Sequence, residues 1–154
     1  MPFVGSGASA CRNQFNFPRN NFDIYENRCH WFSHRRVKRT YAQAERFCAD
    51  RGGRLVTIKT SNKQDFLAGF KDLKVKRARR SNFWIGLDDL RRENIMEWSD
   101  GTTLSNGNYN NWKFPPRRHK KRDCAAIHRS NLQWVLVNCR MKFPFICEMD
   151  DTMI

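Results

Sequence analysis

The string Trp84-Ile85-Gly86-Leu87 lies near the middle of the 154-residue chain and decides which fold is expected. With Phe83 before it, the string forms a short apolar run, which is typical of a strand buried on both faces. Downstream, Trp98-Ser99-Asp100-Gly101 ends in an Asp-Gly pair that predicts a turn. Three further apolar segments predict that the chain closes as short strands, at residues 125–127, 134–137 and 143–147.

Upstream of that string, two segments predict amphipathic helices. Thr40 followed by Gln43 matches a capping box, in which each side chain satisfies a free backbone donor at the helix start. Ser61 followed by Gln64 repeats the pattern. Apolar residues then recur at helical spacing in the two segments, at Tyr41, Ala44, Phe47 and Cys48 and at Phe66, Leu67, Phe70 and Leu73. Both helices should therefore pack on a core.

Two helices early in the chain and strands late predict a single α+β domain. Short strands are also expected at residues 29–32 and 55–58. Residues 1–28 are polar, so we expect an N-terminal extension in the form of an extended tail held by Cys11, followed by the domain at 29–149 and a C-terminal tail at 150–154. Residues 100–122 show no clear helix or strand, and a long loop of this kind is where a binding surface is expected.

The six cysteines predict three disulfides and an oxidising, extracellular compartment. They include no Cys-x-x-Cys pair, which disfavours a zinc ribbon or a thioredoxin-like site, and their spacing alone leaves 15 possible pairings. No apolar run approaches the ~20 residues of a membrane-spanning helix. Residues 1–10 lack the basic start and apolar stretch of a signal peptide, so we expect that a signal has been removed.

The order of several local strings resembles that of the C-type lectin-like domain. The strings that carry the resemblance are Ala44-Glu45-Arg46-Phe47-Cys48, Gly53-Arg54-Leu55-Val56, Trp84-Ile85-Gly86-Leu87, Trp98-Ser99-Asp100-Gly101, Asn111-Trp112, Asp123-Cys124, Trp134, Cys139 and Phe145-Ile146-Cys147-Glu148. The resemblance implies two helices, two small antiparallel sheets and a long loop region, stapled by disulfides. It also implies the pairs Cys48–Cys147 and Cys124–Cys139, with Cys11–Cys29 as the extra bridge of the family's long form.

Many members of that family bind sugar through a Ca²⁺ ion, which takes six to eight oxygen ligands. The family's pattern supplies these from Glu-Pro-Asn or Gln-Pro-Asp in the long loop, a Glu before the Asp/Asn-Cys pair, and Asn-Asp after a Trp. At those positions this chain has Phe114-Pro115-Pro116, Arg122 and Val135-Leu136, and residues 101–122 contain no Asp or Glu. We therefore expect that calcium-dependent sugar binding at this site is lost, and that the domain uses no metal or cofactor. The alternative is a structural ion elsewhere, with Asp88, Asp89 and Glu93 as candidate ligands.

The charge of the chain points to a polyanionic partner. The sequence has 29 Lys and Arg against 15 Asp and Glu, a net charge of +14, which fits nucleic acid, sulfated glycan, anionic lipid or mineral. Three basic runs are the candidate polyanion-binding residues: Arg35, Arg36, Lys38 and Arg39; Lys74, Lys76, Arg77, Arg79 and Arg80; and Arg117, Arg118, Lys120, Lys121 and Arg122. A single run is usually a solvated loop, but three in one chain favour binding, because their self-repulsion brings no folding benefit.

We hypothesise that the chain is a secreted, calcium-independent, lectin-like module for sulfated or otherwise anionic polysaccharides. Guanidinium groups suit sulfate and phosphate oxygens, and the third run lies in the loop where the resemblance places the ligand site. A protein ligand is the main alternative, and a cationic biomineral-matrix or defence protein acting on a mineral or an anionic membrane surface is another. No specific nucleic-acid partner is expected. Catalysis is not expected either, because the sequence shows no nucleophile elbow, metal triad or placed acid–base pair.

Overall fold

Two four-stranded antiparallel sheets and three helices make up the part of the chain that the structure, a computed structural model, describes. The described residues are 7–70, 73, 81–105, 107–116 and 123–149. In chain order the elements are α1 (Gly7–Gln14), β1 (Phe22–Tyr25), β2 (Arg28–Phe32), α2 (Tyr41–Ala49), β3 (Gly53–Leu55), α3 (Ser61–Ala68), β4 (Phe83–Asp88), β5 (Glu97–Trp98), β6 (Cys124–Ile127), β7 (Trp134–Val137) and β8 (Ile146–Met149). The predicted α+β class is confirmed.

The sheet topology brings the two ends of the domain together. The first sheet has the order β1-β2-β8-β3, so the last strand pairs with strands from the first third of the chain. Cys147 lies opposite both Trp31 of β2 and Leu55 of β3. The second sheet has the order β5-β4-β6-β7 and contains the fully buried segment that the sequence predicted as β4.

All three implied disulfides are present, and none of the six cysteines is free. Cys48–Cys147 ties α2 to β8, and Cys124–Cys139 ties β6 to the segment after β7. Cys11–Cys29 ties α1 to β2. None of the described helices has the length and apolar character that crossing a membrane requires.

The helix starts agree with the sequence in one case and differ in the other. At α2 the capping box is confirmed, since Gln43 N donates to Thr40 Oγ1 at 3.3 Å and Thr40 N donates to Gln43 Oε1 at 3.0 Å. At α3 the prediction was wrong by one residue, because Thr60 is the cap and accepts from Lys63 N at 3.1 Å. This helix also ends earlier than predicted, with Gly69 as its C-cap.

The N-terminal segment is not the extended tail that its polarity predicted. It forms α1 and then β1, which pairs with β2 to make a hairpin. The turn between these strands, Glu26-Asn27, has positive φ at both residues (50° and 61°), as a tight two-residue hairpin requires. The hairpin spans the predicted boundary between residues 28 and 29, and the division into extension and domain stays a prediction.

The strand expected at residues 55–58 was also placed too late. β3 ends at Leu55, and the next residue, Val56, instead bridges the two sheets. Val56 N donates to Ile146 O at 2.9 Å, and Gly86 N donates to Val56 O at 2.7 Å. The segment is buried as expected, but its backbone hydrogen bonds join β8 to β4.

Candidate functional site

The first basic run is the part of the predicted polyanion site that the structure describes. The other two runs lie outside the described residues: Lys74, Lys76, Arg77, Arg79 and Arg80, and Arg117, Arg118, Lys120, Lys121 and Arg122. In the first run Arg36, Lys38 and Arg39 are exposed and Arg35 is half-buried.

The backbone of the first run is fixed although its side chains face solvent. Arg39 forms a bridge with Phe143, with N–H to O distances of 2.9 Å in both directions. Trp84 Nε1 also donates to Arg39 O, at 2.8 Å. Exposed Arg140 and Lys142 shortly precede Phe143 in the sequence, so the fold places further cations next to the run. They were not among the predicted site residues because neither belongs to a run of charge.

A second cluster that contains cationic residues lies at the turn between β6 and β7. Ser130 N donates to His128 Nδ1 at 3.1 Å, and the Ser130 hydroxyl lies 2.7 Å from the same nitrogen. Lys113 Nζ donates to Ser130 Oγ at 3.4 Å, and Arg129 is exposed on the turn. Partial burial lowers the pKa of His128, and the positive charges of Lys113 and Arg129 lower it further. The turn therefore gathers positive charge that the sequence, which shows only scattered residues here, did not reveal.

The described part of the long loop carries none of the oxygen ligands of a sugar-binding calcium site. Phe114 is 65% exposed, and it is followed by the exposed residues Pro115 and Pro116. Val135 and Leu136 lie half-buried on β7. Arg122, the remaining substituted position, lies outside the described residues.

An open pocket of about 670 Å³ lies beside this loop. Its walls include Asn94, Met96, Ser105, Asn110 and Trp112, and every described residue that lines it is uncharged. A neutral pocket with amide groups and an aromatic ring does not match a polyanion, which needs cationic donors. The chemistry of the pocket therefore differs from that of the exposed basic residues.

Three carboxylates meet at one end of β4 and β6. One oxygen each from Asp89, Glu93 and Asp123 lies within 4.8 Å of the others. Asp88, which the sequence offered as a ligand, is not a member of the group, because its Oδ2 accepts from Tyr41 Oη at 2.8 Å and its Oδ1 accepts from Leu90 N at 3.0 Å.

Together, the three carboxylates have the chemistry of a binding site for a hard cation. Within the described part of the chain, no donor reaches the buried oxygens Asp89 Oδ1 and Asp123 Oδ1. Burial raises the pKa of Asp89, and neighbouring Asp123 raises it further. A bound divalent cation would satisfy these oxygens, and carboxylate ligands are what Ca²⁺ prefers. Asp89, Glu93 and Asp123 are the residues that would hold a structural ion.

A disulfide-stapled α+β domain with an elaborated loop beside two small sheets defines the class of lectin-like binding modules. The family model described as the lectin C-type domain matches residues 37–149. Snaclec A11 of Macrovipera lebetinus is 33% identical over 118 residues, which cover 72% of this chain and 71% of that protein. One of the subunits of the snaclec anticoagulant protein of Deinagkistrodon acutus is 32% identical over 134 residues, which cover 83% of this chain and 82% of that relative.

Comparison with solved structures gives the same class of protein as these relatives. The carbohydrate-recognition domain of the human scavenger receptor C-type lectin matches with a TM-score of 0.67 and 32% identity, covering 88% of this chain and 99% of that one. The chain belongs to the C-type lectin domain family. The C-type lectin-like fold that the sequence strings implied is confirmed.

Proposed function

We propose that this chain is an extracellular binding module for sulfated or otherwise anionic polysaccharides, which it holds through its basic loops without calcium in the long loop. Three disulfides support an oxidising compartment. Because all six cysteines are bonded, no thiol nucleophile is available, and the proposed activity is binding and not catalysis.

The observation that carries the proposal is the charge of the last third of the domain. Residues 101–147 contain nine Lys and Arg and a single acidic residue, Asp123. This segment spans the long loop, the β6–β7 hairpin and the connection to β8, where Arg129, Arg140 and Lys142 are exposed. The electrostatic field of these positive charges attracts a polyanion over several ångströms, and it weakens as salt screens the charges.

The substituted loop supports a mechanism without calcium. A Ca²⁺-mediated sugar contact needs carboxylate oxygens on the protein, and residues 101–122 contain none. Charge-assisted hydrogen bonds from Arg and Lys to sulfate oxygens need no metal. Affinity should therefore depend on salt and be insensitive to a chelator.

Heparin-affinity chromatography tests the proposal. We expect retention at physiological salt, elution only at high salt, and the same elution position with CaCl₂ or EDTA. The variant Arg117→Gln/Arg118→Gln/Lys120→Gln/Lys121→Gln should elute earlier than a control that removes the same charge from exposed arginines outside the runs, Arg12→Gln/Arg46→Gln/Arg91→Gln/Arg92→Gln. Elution of the wild type at physiological salt would overturn the proposal.

A protein ligand is the second candidate, and the exposed apolar residues favour it. Phe114 and Leu90 are 65% and 54% exposed, and Phe114 lies on the long loop. One relative is by its name part of an anticoagulant protein. A glycan array read with and without calcium separates the two functions, since a protein-binding module would retain no anionic glycan at physiological salt.

A further inference from the structure

We propose that Lys113 and Arg129 form a subsite for one sulfate group of the bound polysaccharide, with Ser130 holding the lysine in place. This inference rests on the proposed function and adds a location to it. The subsite lies at the turn between β6 and β7, outside all three basic runs of the sequence.

The backbone around the subsite is fixed by hydrogen bonds. Lys113 N donates to Trp134 O at 2.9 Å, which anchors the end of the long loop to the start of β7. Across the hairpin, His128 N donates to Gln133 O at 2.7 Å. Binding groups on such rigid elements lose little freedom when a ligand is bound.

The side chains on this frame present unused cationic donors. Lys113 Nζ donates to Ser130 Oγ at 3.4 Å and lies 5.6 Å from the centre of the Phe114 ring, and an ammonium group has three N–H donors. Arg129 is exposed, and its backbone N donates to Asn82 Oδ1 at 2.8 Å. The ion pairs found among the described residues involve neither Lys113 nor Arg129.

No acidic group in the neighbouring sequence neutralises these charges. Residues 124–147 contain no Asp or Glu. Arg129 directly precedes Ser130, to which Lys113 donates, and the charges of both cations lower the pKa of His128 after the effect of its burial. Two like charges near one neutral imidazole repel each other, and a bound sulfate group, which carries one negative charge as a half-ester, would offset that repulsion.

Two residues that hydrogen-bond to the turn of the hairpin lie close in sequence to the undescribed basic runs. Asn82, which holds Arg129, follows the second run by two residues, and Lys113 precedes the third run by four residues. The residues of the subsite are therefore close to continuous in sequence with both runs. This continuity favours a sulfated chain over an isolated small anion as the ligand.

The test compares two variants that remove the same charge. Lys113→Gln/Arg129→Gln loses the subsite, and Arg12→Gln/Arg46→Gln removes two exposed arginines from α1 and α2. Binding of a heparin hexasaccharide is measured by titration calorimetry over a series of salt concentrations. We expect the first variant to bind about tenfold more weakly than the control. The slope of log K against log salt concentration should also be smaller in magnitude for this variant than for the control, by about two.

Amide shifts of the wild type locate the ligand. The hexasaccharide should shift the amide signals of Arg129 and Ser130, and inorganic sulfate alone should shift the same signals if the sulfate group and not the sugar ring is recognised. Hexasaccharide binding by the wild type that is equally strong in both variants would overturn the subsite and leave the proposed function standing. Failure of the wild type to bind would overturn the proposed function itself.

Discussion

Lys63 Nζ lies 3.2 Å from Glu148 Oε1, in an ion pair that is buried between α3 and β8. The same carboxylate oxygen accepts from Thr57 N at 2.7 Å and from Thr57 Oγ1 at 3.0 Å. Burial lowers the pKa of Lys63, although the neighbouring Glu148 charge acts in the opposite direction. One buried charge pair thus joins the second of the predicted helices to the central strand of the first sheet.

The Lys63→Met substitution should destabilise the domain by about 3 kcal/mol, because it leaves the buried Glu148 charge without its nearest cation. Urea unfolding measures the free-energy change. Lys59→Met is the matched control, since it removes a lysine from the more exposed pair with Asp100 and should cost less than about 1 kcal/mol. Equal costs for the two substitutions would contradict the role assigned to the buried pair.

His30 should make the domain less stable in mild acid. Burial, and after it the neighbouring Lys63 charge, lowers the pKa of its imidazole to about 3. The unfolded chain, with a His pKa near ~6.5, binds the proton first, so this contribution to stability is complete above about pH 6.5. It declines by about 1.4 kcal/mol per pH unit as the pH falls from there towards 3.

The His30→Gln variant isolates that contribution. Urea midpoints measured at about pH 7 and about pH 5 should fall further for the wild type than for this variant, since the buried Gln does not titrate. His34→Gln changes a histidine that is only half-buried and should keep the wild-type pH dependence. A wild-type decline that persists in His30→Gln would assign the acid sensitivity to other groups.

Local patterns predicted the elements whose stability is local. The Thr40–Gln43 capping box, the buried β4 string and the two later strands were readable because a few neighbouring residues determine each. α1 was missed because residues 7–14 show no apolar stripe, and the helix is tied to β2 by the distant Cys11–Cys29 bridge. Thr60 and Ser61 are both good caps, and the sequence alone could not choose between them.

The candidate site was less readable, because pairing between distant segments creates it. Asp89 and Asp123 are 34 positions apart and meet only because β4 pairs with β6, with Asp88 opposite Cys124. The side chain of Asp88, the last residue of β4, is held elsewhere, since its Oδ2 accepts from Tyr41 Oη at 2.8 Å. Lys113 and Arg129 are likewise isolated cations in the sequence, and only the fold brings Lys113 to Ser130, the residue that follows Arg129.

Gly86→Ala should destabilise the domain by about 3 kcal/mol. A Cβ atom at this position would lie 2.5 Å from Leu55 O and 2.7 Å from Ser99 Oγ. Neither neighbour can withdraw freely, because Ser99 Oγ donates to Leu55 O at 2.6 Å. Thermal and urea unfolding would measure the effect. Gly69→Ala, where the nearest atom to the added carbon is 3.3 Å away, should change stability by less than about 1 kcal/mol.

Loss of the Cys48–Cys147 bridge should cost more stability than loss of either other disulfide. It joins residues 99 apart in the sequence, against 15 for Cys124–Cys139 and 18 for Cys11–Cys29. In the chain-entropy description the long loop contributes ~4.7 kcal/mol and each short loop ~3 kcal/mol. Paired Cys→Ala variants compared by urea unfolding would check the order. A Cys124→Ala/Cys139→Ala variant less stable than Cys48→Ala/Cys147→Ala would contradict it.

Calcium should stabilise the domain without changing its affinity for a sulfated polysaccharide. Asp89, Glu93 and Asp123 bring their oxygens within 4.8 Å of one another, whereas residues 101–122 offer no carboxylate to a bound sugar. A ligand at a hundredfold its Kd adds about 2.7 kcal/mol to stability, which calorimetry detects as a higher Tm. The shift should disappear in Asp89→Asn and persist in Asp88→Asn, because Asp88 is occupied by Tyr41 and Leu90. An unchanged Tm would contradict the binding of an ion by the three carboxylates. Heparin retention that required calcium would contradict the separation of the calcium site from the polysaccharide site.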